Sequence, residues 1–243
     1  MKERPILFTT PMVQAILAGR KTQTRRIVNW KNLHKQAGLP FPTNCRLSWF
    51  KILQGWGLDA GDSLMRAVTC PYGQPGDHLW VKETWNYAGS HWWSGAPLDR
   101  AHHVNYIADG LKKTFIFHCE KVLSGIPKQR DMKKSESDSE YSDYLTSYWN
   151  QKRPSIFMPK WASRITLEMV AVRVQRLRDI STKDAEAEGI FYNSCGVWHW
   201  RDDSAIGGST PVDAYRALWE SINGADSWDL NPWVWVVEFR RAL

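Results

Sequence analysis

At 243 residues and 28.1 kDa the chain holds one large domain or two small ones and enough apolar residues for a sizeable core, which excludes a disulfide-stapled miniprotein. Hydrophobic residues at 43% and charged residues at 23% exclude a disordered or fibrous chain. The formal net charge is +7, yet residues 1–60 hold ten Lys/Arg against two acids, a local excess that favours a polyanionic partner, nucleic acid before membrane.

In chain order, the first element expected is a short helix with Thr10 as N-cap, Pro11 at the first helical position, Val13, Ile16 and Leu17 at helical spacing and Gly19 as the stop. A basic turn, Arg20-Lys21-Thr22-Gln23-Thr24-Arg25-Arg26, then leads into a β-branched strand at 25–28. Residues 30–60 show little periodicity and read as an irregular insertion. The turn Gln74-Pro75-Gly76-Asp77 launches a strand over 79–85, in which alternation places Leu79, Val81, Glu83 and Trp85 on one side. Between 86 and about 160 the pattern weakens. Segments 104–107 and 114–119 fit strands, Lys133–Asp143 has the composition of a disordered run, and the block reads as a second insertion.

From Arg164 to Val174 the alternation returns. It changes parity between Met169 and Val170, so a long strand that is bent or bulged is expected. A capped helix follows, with Ile180 as staple, Ser181 as N-cap, Asp184 as the capping-box acid and Gly189 as its end; Thr210-Pro211-x-Asp213 repeats the device and Gly224 stops that helix. Residues 233–239 are continuously hydrophobic, as suits a strand buried on both faces. Together these elements predict an α+β fold around one curled mixed sheet or small barrel, made from the segments 6–8, 25–28, 79–85, 164–174 and 233–239, with short flanking helices and large insertions at about 30–70 and 86–160.

Several classes of function are set aside by the same reading. No apolar run of about 18 residues is present, and the opening Met-Lys-Glu-Arg-Pro-Ile-Leu-Phe lacks the features of a signal peptide, so a cytoplasmic protein without a membrane partner is expected. Cys45, Cys70, Cys119 and Cys195 are scattered, without a Cys-x-x-Cys pair, and are expected to be reduced thiols. His102, His103, His118 and Cys119 match no usual ligand spacing, and no metal or other cofactor is expected. No Gly-rich phosphate loop or Ser/His/Asp signature occurs. The chain is expected to be a monomer. Its 15 tryptophans serve either as core residues or as stacking platforms for bases.

Two local patterns carry candidate chemistry. In the basic turn, Arg25 and Arg26 can hold phosphate beside Arg20, while Lys21 and a threonine hydroxyl enter a pocket; a solvated basic loop accounts for the same residues. Glu188 lies in the last turn of its helix, where a carboxylate faces the negative end of the dipole, at a cost of a few tenths to about 1 kcal/mol. Such a position suggests a role elsewhere, although Ala-Glu-Ala-Glu-Gly is also a run of good helix formers. Glu83, with Trp80 and Trp85, can line a cleft that stacks a base, or be a hydrogen-bonded strand carboxylate.

These residues carry a resemblance. Ile16-Leu17-Ala18-Gly19-Arg20-Lys21-Thr22-x-Thr24-x-Arg26, Pro75-Gly76-Asp77 before a hydrophobic strand, Ile180-Ser181-x-x-Asp184-Ala185-x-x-Glu188-Gly189 and Trp235-Val236-Val237-Glu238-Phe239 resemble the ordered motifs of the ASCH domain family, whose fold is PUA-like. The longer phage and prophage members are the most similar, including the Met158-Pro159-Lys160-Trp161-Ala162-Ser163-Arg164 segment. The resemblance implies a single ASCH domain over 1–243 and a nucleic-acid or nucleoside partner. Compact members similar in the Gly-Arg-Lys-Thr-x-Thr block are amidohydrolases that remove the acyl group of N4-acetylcytidine with a lysine, a threonine and a glutamate, which fall by motif on Lys21, Thr24 and Glu188. In that reading Thr24 is the nucleophile, Lys21 the base, and Glu188 holds the cytosine edge or protonates the leaving amine. Residues 21 and 24 share a pocket only if the segment is still turning. A non-catalytic module that reads RNA or modified DNA, and a ribonuclease, are the alternatives.

Overall fold

A computed structural model describes residues 1–40, 46–50, 55–61, 65–92, 99–118, 151–193, 196–201 and 207–242. In chain order they form β1 (Glu3–Leu7), α1 (Thr10–Leu17), β2 (Gln23–Ile27), α2 (Trp30–Ala37), β3 (Arg46–Phe50), β4 (Gly55–Asp59), β5 (Met65–Val68), β6 (His78–Lys82), β7 (Trp85–Trp92), β8 (Asp99–Tyr106), β9 (Lys112–His118), β10 (Thr166–Arg176), α3 (Thr182–Ala187), β11 (Phe191–Tyr192), β12 (Trp198–His199), α4 (Pro211–Asn223) and β13 (Trp233–Arg241). The fold is α+β with strands predominant.

The largest sheet has five strands in the order β1-β6-β10-β13-β2. They overlap the five segments expected as strands, except that the one expected over 79–85 ends at Lys82, and Trp85 opens β7 of another sheet. Closing the five into a barrel requires the two end strands to pair with each other. Here β1 and β2 remain edges, so of the two forms expected, a curled sheet or a small barrel, the barrel does not close among the described residues and the sheet is open.

The residues divide into two units, one of Met1–Arg4, Ala15–Leu79 and Leu167–Leu243, the other of Pro5–Gln14 and Trp80–Thr166. In the first, β13 lies between β10 and β2, antiparallel to both, which explains its unbroken hydrophobicity: Val234, Trp235, Val236, Val237 and Phe239 are all buried. The parity change in β10 is a bulge, where the register against β13 shifts between Met169 and Ala171. Both capping boxes form, with the Ser181 and Thr210 side chains accepting from the Asp184 and Asp213 backbone N–H groups. On α4, Tyr215, Leu218 and Trp219 are buried, whereas Ile222 is exposed.

Residues 30–60 differ from the expected irregular insertion. Asn29 caps α2 by accepting from the Asn32 N–H, Gly38 ends it at a φ of 67°, and β3-β4-β5 form an antiparallel meander. Leu33 is buried beneath α2, and Leu58 beneath β4.

In the second unit, β7-β8-β9 form an antiparallel sheet that contains 104–106 of the strand expected at 104–107 and 114–118 of the one expected at 114–119. Trp85, Tyr87, Val104, Tyr106, Met158 and Ala162 make its core, with Phe115 and Trp161 packed on it. Trp161 meets Trp85 and Phe115 edge to face, at 6.4 and 5.5 Å between ring centroids. Lys133–Asp143, Cys45, Cys119 and Cys195 lie outside the described residues.

Candidate functional site

The end of α3 and the segment before β2 meet. The capping box starts a helix of only six residues, and the chain leaves it through Glu188, at φ −72°, and Gly189, at φ 101°. There the Thr22 N–H donates to the Ala187 carbonyl at 2.9 Å, and Lys21 and Glu188 form an antiparallel bridge. The glycine is required twice over. Its φ is one that side chains avoid, and a Cβ there would stand 3.1 Å from the Ala15 Cβ and 3.3 Å from the Lys21 Cβ.

This bridge brings together two chemically active side chains 167 positions apart. The Lys21 Nζ donates to Glu188 Oε2 at 2.6 Å and to the Glu188 carbonyl at 2.9 Å. The other carboxylate oxygen, Oε1, accepts from Arg25 Nη1 at 3.2 Å, while Arg25 Nη2 lies 3.2 Å from Asp184 Oδ2. Arg173 Nη2 donates to Asp184 Oδ1 at 2.6 Å and to Gln23 Oε1 at 3.1 Å, and its Nη1 to Glu238. Lys21, Arg25 and Glu188 are buried. Tyr215 of α4 is buried beside them, with the Arg25 guanidinium 5.8 Å from its ring centroid.

Burial dominates the proton equilibria. It pushes the Lys21 ammonium down from its ordinary value despite the opposing pull of Glu188, with Arg26 and Arg25 adding to the fall. It pushes the Tyr215 phenol well up, helped by the Glu188 charge. For Asp184 burial works upward but is outweighed by Arg25, the Ser181 hydrogen bonds and Arg173, which hold the carboxyl below the usual range. The arrangement is a buried ion pair, Lys21 with Glu188, flanked by the charges of Arg25 and Asp184.

The remaining candidates are placed as follows. Gln23 and Arg25 point to the Asp184 side of β2, so Thr24 and Arg26, on the alternate parity, face the other side. The turn that would have brought Thr24 beside Lys21 is absent, because the ladder already includes Thr22, whose carbonyl accepts from the Phe239 N–H at 2.8 Å. Thr24 is buried, and Arg26 is half-buried. Arg25, expected to hold phosphate, is instead committed to Glu188 and Asp184. Arg20 is exposed, its guanidinium 4.3 Å from the Phe191 ring centroid.

In the second unit Glu83 is a paired strand-end carboxylate. Arg164 donates to both its oxygens at 2.9 Å and to Asp109 at 2.7 Å, and stacks 4.1 Å from the Tyr106 ring centroid. Trp85 is wholly buried, which removes it as a stacking platform, and Trp80 is half-buried with the Lys82 Nζ 5.5 Å from its ring centroid. Sequence reasoning missed Arg173, which bonds Asp184, and Tyr215, whose ring lies by Arg25, and placed Asp184 only as a cap. Nothing local marks Arg173 or Tyr215, and Asp184 carries no local sign of a second partner beyond its cap. No group of three or more His, Cys, Asp or Glu suited to a metal occurs among the described residues. No helix there is long and apolar enough to cross a membrane. The chain matches no protein-family profile, no curated protein and no solved structure.

Proposed function

We propose that this PUA-like, ASCH-type chain handles nucleic acid or a modified nucleobase, with Lys21 and Glu188 as its reactive centre and hydrolysis of N4-acylcytosine nucleosides as its reaction. The observation that carries the reading is the 2.6 Å contact between two buried, oppositely charged groups from distant segments. Burial disfavours the ammonium form of Lys21, so its amine can take up a proton and return it beside the Glu188 carboxylate. Water adds to the acyl carbonyl carbon and gives a proton to the pair; the bond to N4 breaks, and N4 receives a proton from the pair. One water is consumed, and the products are the free cytosine amine and a carboxylic acid. Because the Thr24 side chain faces the other side of the sheet, the attack is assigned to water, and Thr24 is a buried residue of β2 rather than a nucleophile. Incubating the protein with N4-acetylcytidine and following cytidine by chromatography tests this. The wild type releases cytidine, Thr24→Ala retains the activity, and Glu188→Gln and Lys21→Arg lose it, since the arginine keeps its proton.

The burial of both members of the pair favours a second reading, a binding module in which the pair only fixes the backbone. A wild type that leaves N4-acetylcytidine intact at neutral and alkaline pH yet binds oligonucleotides establishes that reading; shortened RNA products establish a ribonuclease.

A further inference from the structure

The β10-β13-β2 sheet has a second face. Arg173 extends to the side of Asp184, so its neighbour Val172 faces the other way. There, within the first unit, it lines a cavity of about 280 Å³ together with Lys2, Arg4, Trp56, Val68 and Asp77. Its volume is near the lower end of the roughly 300–1,000 Å³ of small-ligand sites, enough for one base and sugar and too little for a length of strand. Trp56 supplies a flat apolar wall and is itself braced edge to face against Trp235, 5.2 Å away at 88°.

The polar wall selects the charge of the occupant. Asp77 is saturated: Oδ1 accepts from the Lys2 N–H at 2.7 Å, and Oδ2 from Arg4 Nη1 at 2.9 Å and from the Gln74 N–H at 3.3 Å. Arg4 spends one nitrogen on that contact, and the rest of its donor fork remains available. Lys2 is exposed, and its fold contacts are those of its backbone, including the carbonyl that accepts from the His78 N–H. Cys70, also in the wall, is pushed up to about 11 by burial and stays a neutral thiol. Gly73, at φ 121°, permits the arrangement, because a Cβ would stand 2.6 Å from Arg4 Nη1 and 2.9 Å from Asp77 Oδ2. Donors and positive charge are thus on offer beside an aromatic face, while the one carboxylate is already satisfied.

We infer that this cavity binds a nucleotide, its base against Trp56 and its phosphate on Lys2 and Arg4. The ligand is either a free mononucleotide or the 5′-phosphorylated end of a strand, which present the same chemistry. The site does not depend on amide hydrolysis at Lys21 and Glu188, from which the sheet separates it.

Titration calorimetry on the full chain with CMP and AMP, their nucleosides, inorganic phosphate and a short oligonucleotide with and without a 5′-phosphate tests the inference. Mononucleotides bind saturably, and nucleosides and phosphate each bind about tenfold more weakly or worse, since each lacks half of the contacts. Trp56→Ala weakens nucleotide and nucleoside alike by about tenfold or more, and Trp56→Phe restores most of the loss. Lys2→Gln, which leaves the backbone contacts in place, weakens the nucleotide alone. The affinity for AMP, which carries no cytosine, is read on the wild-type chain whether or not that chain releases cytidine from N4-acetylcytidine, so failure of the amidohydrolase reading and failure of this one remain distinguishable. A 5′-phosphorylated oligonucleotide that binds better than CMP identifies a strand end as the occupant, and equal or weaker binding identifies the free nucleotide. Absence of saturable binding, a nucleoside as good as its nucleotide, or an affinity indifferent to Lys2→Gln overturns the site.

Discussion

Glu188 satisfies two cations with one carboxylate, so its removal leaves Lys21 and Arg25 buried beside each other with no charge between them. Glu188→Ala is therefore expected to lose about 3–5 kcal/mol in urea denaturation, the range for breaking a buried pair from one side. Replacing both partners, as Lys21→Met with Glu188→Leu, recovers much of that loss, because no unpaired lysine charge remains. The acid limb of stability has its own sign. Asp184 has a folded-state pKa below its ordinary value of 3.8, so it contributes stability that is present above that value and is lost as pH falls through the depressed one. Asp184→Asn is expected to flatten the decline of stability below about pH 4, where the unfolded carboxylate takes up a proton that the folded one still refuses. A Glu188→Ala variant as stable as the wild type refutes the buried charge cage.

At the level of elements, the local signals were the legible ones. Alternation, β-branching and one continuous hydrophobic run located the five strands of the main sheet, alternation also located the bulge in β10, and hydroxyl-x-x-acid spacing found both capping boxes, because each is set by residues within a few positions of one another; the break between Lys82 and Trp85 left no such mark. The β3-β4-β5 meander escaped because Gly55-Trp56-Gly57-Leu58-Asp59 is too short and too glycine-rich to alternate, and α2 because Leu33 is its principal apolar anchor. At the site, Lys21 and Glu188 were paired only by the family resemblance, and the burial of Arg25 depends on acids more than 150 positions away, which no local pattern encodes. The joint between α3 and Lys21 gives a paired test. Gly19→Ala and Gly189→Ala both place a side chain at positive φ, but a Cβ at residue 19 has nothing within 4 Å, whereas one at 189 presses on Ala15 and Lys21. Thermal unfolding is expected to register about 1–2 kcal/mol for Gly19→Ala, the cost of the left-handed conformation alone, and a distinctly larger loss for Gly189→Ala. Equal costs at the two positions mean that the joint is loosely packed.

Across the whole molecule, the charge that sequence alone assigns to one basic footprint separates into two populations. Of the ten cations in residues 1–60, Lys21 and Arg25 are neutralised inside the fold by Glu188 and Asp184, and Arg4 is paired with Asp77, whereas Arg20, Lys35 and Arg46 are exposed. Only exposed cations release counterions when a phosphate backbone arrives, so they alone set the salt dependence of binding. Fluorescence anisotropy with a single-stranded oligonucleotide is expected to give a falling line of log affinity against log salt, and Arg20→Ala or Lys35→Ala each to reduce its slope by about 0.7, the contribution of one phosphate contact on a single strand. Arg25→Ala behaves differently. It leaves the slope as it was while lowering the unfolding temperature, because the guanidinium serves Glu188 and Asp184 rather than solvent. If instead a folded Arg25→Ala protein shows the flatter slope and Arg20→Ala does not, the guanidinium of Arg25 leaves its buried partners on binding, and the basic turn itself is the phosphate contact.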